Sequence, residues 1–377
     1  MADAKTAVEH IADSLLMSGQ SFASPDETVS VLQKAFNRLC IIIDSRYGTK
    51  QEAIQYAEEL VVTTAVMPSA TTWDQLYDEA RIYVNGRERG KLVEPSSMQD
   101  EVLGFYRNGF EQGKPFSEWR EFSKHFRAAR REFTVITGIP GHGKSEFTDA
   151  MALTLANEHD WNFAVFSPEN YPYAVHIEKL ASKLNGLPFH NGPSIRMDEP
   201  AVLAALEWIN RRFVFVQPDE DNISMEGILS LTLRAKLTRK IDCLILDPWN
   251  EVDHNRPAKK SETEYIGESL MKIRRFARMN DIAVWVVAHP AKMHKVKDEE
   301  AYRPPEPYDI AGSSHWYNKS DNCITVYRNG DNSVDVHVKK IKFKMRGHTG
   351  IVKFGYNSVN GRYFEINQEK ERSDYEL

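Results

Sequence analysis

A complete phosphate-binding loop directly after an apolar run is the feature that most constrains this chain. Residues 133–137 read FTVIT, which predicts a buried strand, and residues 138–145 read GIPGHGKS, which fits the pattern GxxxxGKS. The strand aims the loop, and the glycines let backbone N–H groups surround phosphates. Residues 146–155 predict a helix whose positive amino end faces the anion. The sequence therefore predicts an α/β nucleotide-binding domain, with a glycine turn that holds no ligand as the alternative.

Each residue type in the loop has a place in this chemistry. Lys144 is expected to reach the β- and γ-phosphates, and the Ser145 hydroxyl is expected to hold Mg²⁺. The other predicted nucleotide contacts are Gly138, Pro140, Gly141, His142, Gly143 and Glu146. The expected cofactors are therefore ATP, or another nucleoside triphosphate, and Mg²⁺.

The composition is that of a globular protein. The chain has 377 residues, a net charge of -6, 41% hydrophobic residues and 27% charged residues. No apolar run approaches the roughly 20 residues that cross a bilayer, and the amino-terminal residues lack a signal-peptide pattern. We therefore expect a cytoplasmic protein with no membrane contact. Cys40, Cys243 and Cys323 are isolated in the sequence, which indicates neither a zinc site nor a disulfide framework.

Changes in periodicity divide the chain into four parts. Residues 1–95 predict a helical domain, 96–132 a connector, 133–367 an α/β nucleotide-binding domain, and 368–377 a polar tail. Within the connector, the basic run 124–131 predicts a helix on a solvated or inter-subunit face, with DNA contact as the minority alternative. Strands are predicted at 133–137, 162–167, 213–216, 243–246, 282–288, 322–327, 334–341 and 351–354. Their alternation with helical segments predicts a largely parallel sheet with an antiparallel edge.

Polar side chains follow three of these apolar strands. Asp247 comes directly after residues 243–246, Glu169 follows 162–167, and His289 follows 282–288. Parallel strands bring their carboxyl ends to one edge of a sheet. Asp247 is therefore predicted to hold the metal, Glu169 to activate a water and His289 to sense the γ-phosphate. The alternatives are a turn aspartate, a loop carboxylate or helix cap, and a turn histidine before proline.

Two basic loops and one basic strand are candidates for anion contact. The loops contain His254, Arg256, Lys259 and Lys260, and Lys292, His294, Lys295 and Lys297; contact with a nucleic-acid backbone and plain surface solvation both remain open for them. Alternation over residues 338–346 predicts a strand with Lys340, Lys342 and Lys344 on one face. Like charges repel, so we expect an anion opposite them, either a neighbouring subunit's nucleotide or DNA. An edge strand protected by lysines is the alternative.

These segments together resemble the hexameric replicative DNA helicases with a RecA-like motor, most closely the Twinkle-type branch and its phage relatives. The resemblance covers roughly residues 100–366 and implies that residues 133–367 form a RecA-like P-loop NTPase domain. Its motifs are TGIPGHGKSEF (137–147), FSPEN (166–170), LDPWN (246–250), AHP (288–290), DIAGSSHWYNKSDN (309–322), KIKF (340–343) and GHTG (347–350). The motif SPEN and the block GSSHW are more specific than the phosphate loop.

The resemblance implies an ATP-driven translocase that encircles single-stranded DNA as a ring, with nucleotide bound between subunits. It implies that Glu169 is the catalytic carboxylate, Asp247 the metal ligand and His289 the phosphate sensor. It further implies a DNA-facing loop around Ser313 and Ser314. The family has a lysine-x-arginine pair acting in trans, where this chain has Lys340-Ile341-Lys342, and lysine does not replace the arginine fork equally. Arg346 is the alternative source of that guanidinium.

A second departure from the family lies at the amino terminus, where relatives often carry a primase. Residues 1–95 contain neither zinc ligands nor an acidic metal cluster. We therefore predict a DNA helicase without priming activity, which acts on single-stranded DNA or a forked duplex and has a possible polymerase or primase partner. A RecA-type recombinase and a nucleotide-gated loader that does not unwind DNA are the alternatives.

Overall fold

The computed structural model describes residues 11–12, 25–45, 49–61, 70–86, 93–218, 223–252, 256, 260–291, 293, 302–312, 314–331 and 333–366. The chain divides into two compact units. Unit 1 comprises residues 1–109 and 236–238, and unit 2 comprises residues 110–235 and 239–377. None of the described helices is both long and apolar enough to span a membrane. The predicted tail 368–377 lies outside the described residues.

Unit 1 is helical, as its apolar spacing predicts. Its helices are α1 (Pro25–Ser45), α2 (Lys50–Val61), α3 (Ala70–Gly86) and α4 (Gln99–Asn108). The first three bury a shared core that includes Leu32, Phe36, Leu39, Ala57, Trp73 and Leu76. Thr49 and Glu52 form a capping box on α2, because the Glu52 carboxylate accepts the Thr49 N–H at 2.5 Å while the Thr49 hydroxyl accepts the Glu52 N–H at 3.3 Å.

Unit 2 is built around a single sheet that has nine strands within the described part of the chain. The strands are β1 (Phe133–Thr137), β2 (Phe163–Phe166), β3 (Phe213–Phe215), β4 (Cys243–Leu246), β5 (Ala283–Ala288), β6 (Asn322–Arg328), β7 (Val334–Ile341), β8 (Gly350–Tyr356) and β9 (Tyr363–Glu365). Their spatial order is β3-β2-β4-β5-β1-β6-β7-β8-β9. The first six are parallel and the last three continue antiparallel. This confirms the predicted sheet and its antiparallel edge.

The helices that follow α4 along the chain are α5 (Arg120–His125), α6 (Lys144–His159), α7 (Tyr173–Asn185), α8 (Glu199–Arg212), α9 (Met225–Thr238), α10 (Glu262–Met279) and α11 (His315–Lys319). Helix α5 precedes β1, and the helices α6 to α11 lie between the parallel strands along the chain. All six residues of β5 are buried, as its wholly apolar sequence predicts for a central parallel strand. The predicted strands all occur, and the short strand β9 is one that the sequence did not indicate.

The predicted basic helix over residues 124–131 is wrong beyond its second residue. Helix α5 ends at His125, and the chain continues extended, with Phe126 and Ala128 both buried. Ala128 forms an antiparallel bridge with Lys114, with N–H···O distances of 2.7 and 3.0 Å. The burial of Phe126, Ala128 and Ala129, together with the bridge to Lys114, outweighs the helical propensity of the arginines and alanines in this segment.

Trp119, the residue directly before α5, belongs to an aromatic cluster that packs against α6, the helix that follows the phosphate loop. The indole of Trp119 stacks on Phe147 at a centroid distance of 5.4 Å and meets Phe354 edge-on at 5.3 Å. Its Nε1 donates to the Tyr363 carbonyl oxygen at 3.3 Å. Trp119 is thus packed against α6 and against both strands of the outer hairpin, β8 and β9.

Replacement of Trp119 by alanine is expected to lower the free energy of unfolding of unit 2 by about 3–5 kcal/mol, the usual range for a buried tryptophan. Urea denaturation followed by circular dichroism measures the change. Ile195→Ala is the control, because Ile195 is 86% exposed and its loss should change stability by less than about 0.5 kcal/mol. Equal effects of the two substitutions would contradict the role given to the cluster.

Candidate active site

The loop between β1 and α6 requires glycine where neighbouring atoms leave no room for a side chain. A Cβ atom on Gly138 would lie 2.2 Å from the backbone carbonyl oxygen of Val326. Gly143 has a φ of 88°, in the left-handed region that favours glycine, and a Cβ atom there would lie 2.9 Å from the Tyr363 hydroxyl. The loop backbone is therefore held close to β6 and β9, in a path that only glycine follows at these two positions.

Lys144 begins α6 and is only 5% exposed. Its ammonium group donates to the carbonyl oxygen of Ile139 at 3.3 Å, so the side chain folds back over the loop. Burial lowers the pKa of Lys144, whereas the carboxylates of Asp247 and Glu169 act in the opposite direction. One ammonium group therefore lies within electrostatic range of both predicted catalytic acids.

Asp247 follows β4 directly and is 4% exposed. Its carboxylate accepts a hydrogen bond from the Ser145 hydroxyl, and its Oδ1 atom has no hydrogen-bond partner among the described residues. Burial raises the pKa of Asp247 to about 7, Asp149 and Glu169 contribute in the same direction, and the Ser145 hydrogen bond opposes them. A buried carboxylate oxygen without a partner beside a hydroxyl is a set of hard oxygen ligands that suits Mg²⁺.

Glu169 and His289 meet at the carboxyl ends of β2 and β5. The Nε2 atom of His289 lies 3.7 Å from Oε1 of Glu169, whose side chain is 49% exposed. Burial and the Lys144 ammonium lower the pKa of His289, while Glu169 opposes this. Glu169 lies in a short 3-10 turn, in which the Asn170 amide donates to the Ser167 hydroxyl at 2.8 Å. Asp247, Glu169 and His289 therefore lie with the phosphate loop at the carboxyl-terminal ends of the parallel strands.

Comparison with known proteins identifies the family of this chain. A family model described as DnaB-like helicase C terminal domain matches residues 121–365. The chain belongs to the DnaB-like helicase family. The Twinkle homolog protein, chloroplastic/mitochondrial, of Arabidopsis thaliana is 35% identical over 277 residues, which cover 70% of this chain and 38% of that protein. The chain thus spans less than half the length of that relative.

Two solved structures agree in fold. The first, described as an ATPase domain, has a TM-score of 0.60 and 19% identity, covering 73% of this chain and 100% of that one. The second is a DnaB-like replicative helicase, whose structure is described with its interactions with primase. It has a TM-score of 0.59 and 17% identity, covering 84% of this chain and 77% of that one. The RecA-like fold and the DnaB-like, Twinkle-type resemblance are confirmed, as is the assignment to a helicase family of enzymes.

The other residues predicted to contact nucleotide differ from one another in exposure and in hydrogen-bond partners. Pro140 and Gly141 are exposed at the tip of the loop. His142 Nδ1 accepts the backbone N–H of Arg328 at 3.0 Å. The Glu146 carboxylate faces α7, where it pairs with Lys179 at 3.3 Å and with Lys183.

Sequence reasoning missed two residues of the antiparallel side of the sheet that border the loop, Arg328 and Tyr363, and a third, Tyr356, that packs against both of them. Arg328 ends β6, and its guanidinium lies 5.3 Å from the centroid of the Tyr356 ring. The Tyr363 hydroxyl donates to the Gly143 carbonyl oxygen at 3.4 Å. No local motif marks these positions, because only the order of β6, β8 and β9 in the sheet brings them to the loop.

The predicted basic strand is wrong in one respect, since β7 ends at Ile341 and Lys344 lies in a 3-10 turn, Lys344–Arg346. A strand that runs through Lys344 is prevented because the backbone turns there, with the Arg346 N–H donating to the Phe343 carbonyl oxygen at 2.8 Å. Ile341 pairs with Asn322, the first residue of β6. This end of β7 therefore lies at the amino-terminal ends of the parallel strands, whereas the phosphate loop lies at their carboxyl-terminal ends.

The three predicted trans-acting cations are engaged within their own chain. Lys340 donates to the carbonyl oxygens of Tyr317 at 2.5 Å and Ser320 at 2.8 Å. The two other cations contact buried acids: Lys342 Nζ lies 3.0 Å from Oδ1 of Asp321, and Arg346 Nε lies 3.1 Å from Oε1 of Glu132. Their contact with a neighbouring subunit's nucleotide stays a prediction.

Among the predicted DNA contacts, Lys259, Lys292, Lys295, Lys297 and Ser313 lie outside the described residues. Arg256 lines a cavity of about 310 Å³ together with His289, Trp249 and Trp316. Lys260 pairs with Glu268 at 2.5 Å, and Ser314 directly precedes α11. The structure therefore brings Arg256 to the same cavity as the predicted phosphate sensor.

The raised pKa of Asp247 predicts that the stability of the metal-free protein depends on pH. Because the folded-state pKa of about 7 lies above the usual 3.8, the neutral form stabilises the fold, and this contribution is lost as pH rises through about 7. Asp247→Asn is neutral at every pH and should be more stable than the parent protein at pH 8, by on the order of 2–4 kcal/mol. The difference should shrink as pH falls toward 5.

Thermal unfolding in EDTA at several pH values between 5 and 8.5 measures this difference. Asp242→Asn is the matched control, because Asp242 is also buried but lies at the opposite end of β4, where it pairs with Lys240 and Arg130. A stability gap between Asp247→Asn and the parent protein that does not change with pH would contradict the buried, raised-pKa carboxyl.

Proposed function

We propose that this chain is an ATP-driven motor that moves along single-stranded DNA and unwinds duplex DNA. The observation that carries the proposal is the convergence of Lys144, Ser145, Glu169, Asp247 and His289 at one edge of the sheet. These residues come from the ends of four different strands, and only the parallel order of those strands brings them together. A nucleotide-binding protein without hydrolysis does not need an exposed carboxylate beside a buried metal-type acid.

Each group has a separate task in hydrolysis. The loop N–H groups and Lys144 hold the phosphates. Glu169, with its half-exposed carboxylate, takes the proton of the attacking water as general base. His289, 3.7 Å from Glu169, reports the presence of the γ-phosphate. Mg²⁺ held by Ser145 and Asp247 would neutralise charge on the phosphate oxygens.

We further propose that the motor works as a homo-oligomeric, hexameric ring with nucleotide between subunits. Lys340, Lys342 and Arg346 lie at the end of the sheet opposite their own phosphate loop, so a nucleotide that they contact must be held by another copy. Such a contact would draw them away from their partners in their own chain. Helix α4 adds support, since Val102 and Tyr106 are 58% and 86% exposed and form an apolar stripe with no buried residue.

DNA and partner contacts complete the proposal. Arg256, Lys260 and Ser314 are the described residues that we assign to the DNA backbone. One solved relative is described with its interactions with primase, and we assign unit 1 of this chain to subunit assembly or to contact with a primase or polymerase. The chain itself is proposed to have no priming activity.

A forked-duplex unwinding assay tests the motor. The parent protein should release the labelled strand when ATP and Mg²⁺ are present, and Lys144→Ala should not, because the phosphate-binding ammonium is removed. Lack of strand release by a ring-forming sample that hydrolyses ATP would favour strand exchange over unwinding. Negligible ATP turnover by such a sample would favour a nucleotide-gated loader.

Glu169→Gln tests the general base. ATP binding should be retained, while kcat should fall by about 10²-fold or more, because the amide cannot accept the proton. Glu207→Gln is the control and should leave kcat unchanged, since Glu207 is a 72% exposed carboxylate on α8 that pairs only with Arg211 among the ion pairs described. Near-normal turnover of Glu169→Gln would remove Glu169 from the mechanism.

A further inference from the structure

A buried ion pair connects the helix after the phosphate loop with the helix after Glu169. Asp149 in α6 and His176 in α7 are 5% and 1% exposed. The Nε2 atom of His176 lies 3.0 Å from both carboxylate oxygens of Asp149. Asp149 is five residues after Lys144, and His176 is seven residues after Glu169. The pair therefore joins the phosphate-binding side of the site to the side that carries the general base.

A second, more exposed contact runs parallel to the first. Lys179, one helical turn beyond His176, pairs with the Glu146 carboxylate of α6 at 3.3 Å. The same ammonium group donates to the side-chain oxygen of Asn170 at 2.9 Å. Because Asn170 is the neighbour of Glu169 in the 3-10 turn, this lysine connects α6 directly to the turn. We call Asp149, His176, Glu146, Lys179 and Asn170 the helix clamp.

The electrostatics of the buried pair favour the charged form of both of its members. Burial opposes the charge on His176, but the adjacent Asp149 carboxylate raises its pKa overall. Burial likewise opposes the charge on Asp149, but His176 and then Lys183 lower its pKa overall. The second ring nitrogen of His176, Nδ1, is buried and has no hydrogen-bond partner among the described residues. The imidazole is thus held by one partner and by the edge of the Phe215 ring, at 5.4 Å.

Stability alone does not account for such a pair. A buried ion pair often contributes no more than a well-packed apolar pair of similar volume, because both charges lose their hydration. What the ion pair provides and two leucines do not is a fixed direction, since both carboxylate oxygens face one ring nitrogen. This direction sets how the start of α7 lies relative to α6, and Glu169 lies just before α7.

We propose that the helix clamp positions Glu169 relative to the phosphate loop. Asp149, His176 and Lys179 would then influence the rate of ATP hydrolysis although none of them is a predicted nucleotide contact. The inference rests on the proposed ATPase function. None of the clamp residues is a catalytic residue in this proposal, since they act through the placement of Glu169. A displacement of the base by about 1 Å is enough to cost about 10²-fold in rate.

The test compares kcat, KM for ATP and the Kd for a non-hydrolysable ATP analogue in the full chain. Asp149→Leu combined with His176→Leu removes both charges together. This double variant should lower kcat by about 10- to 100-fold, because Glu169 loses its alignment, while the Kd for the analogue changes by less than about three-fold. His176→Gln should keep most of kcat, because its amide nitrogen can take the place of Nε2 and donate to Asp149.

Asp242→Asn is the control for a general loss of stability, because it removes a buried charge at the far end of β4 and should leave kcat within about two-fold of the parent value. If the double leucine variant does not fold, Lys179→Met decides the question. That substitution lies on a partly exposed side chain, 37% accessible, and should lower kcat several-fold without a change in analogue affinity.

The outcomes separate the two proposals. A parent protein that hydrolyses no ATP, with or without single-stranded DNA, overturns the proposed function. An active parent protein whose folded double leucine variant, or failing that Lys179→Met, has an unchanged kcat overturns the clamp alone. A fall in kcat accompanied by an equal loss of analogue affinity also overturns it, since the pair would then only support the nucleotide pocket.

Discussion

The parallel register of β2, β4, β5 and β1 is the constraint on which the whole site depends. Leu246 pairs with both Phe166 and Val286, and Thr137 pairs with Ala288, so the carboxyl ends of these strands lie side by side. The Thr137 hydroxyl donates to the Ala288 carbonyl oxygen at 2.8 Å, which fixes the ends of β1 and β5 together. Whatever follows these strands must therefore project into one space, and the sequence places a lysine, two acids and a histidine there.

Two of these charged groups are buried, and burial disfavours their charged forms. Lys144 is almost fully buried, and so is Asp247, which has one oxygen without a partner among the described residues. Burial opposes the charge of each group, and their mutual attraction offsets part of this cost. A phosphate and a divalent cation would offset the same cost more fully. The polar groups of the fold are thus least satisfied at the place where the proposed nucleotide and Mg²⁺ would bind.

The charged groups at the two ends of the parallel strands are arranged differently. At the end with the phosphate loop, polar groups are left available for a ligand. At the other end, Asp321 and Glu132 are buried and neutralised by cations, including Lys342, Arg274 and Arg346. The antiparallel turn from β6 into β7 produces this second cluster, because it returns the chain to the amino end of β6. In the proposed ring, a nucleotide that contacts both ends of the sheet would lie between two copies of the chain.

The sequence by itself determined the phosphate loop, the strand positions and the identity of the strand-end residues, because these depend on local patterns of a few residues. A buried parallel strand must be apolar throughout, and a loop that approaches phosphates closely needs glycine, so both leave a readable signature. The tertiary structure alone decided which distant residues border the loop. Arg328 and Tyr363 reach it through strand order, with Tyr356 packed against both, and Asp149 meets His176 through helix packing. Such contacts carry no short-range signal, since each residue, taken alone, reads as an ordinary strand or helix position.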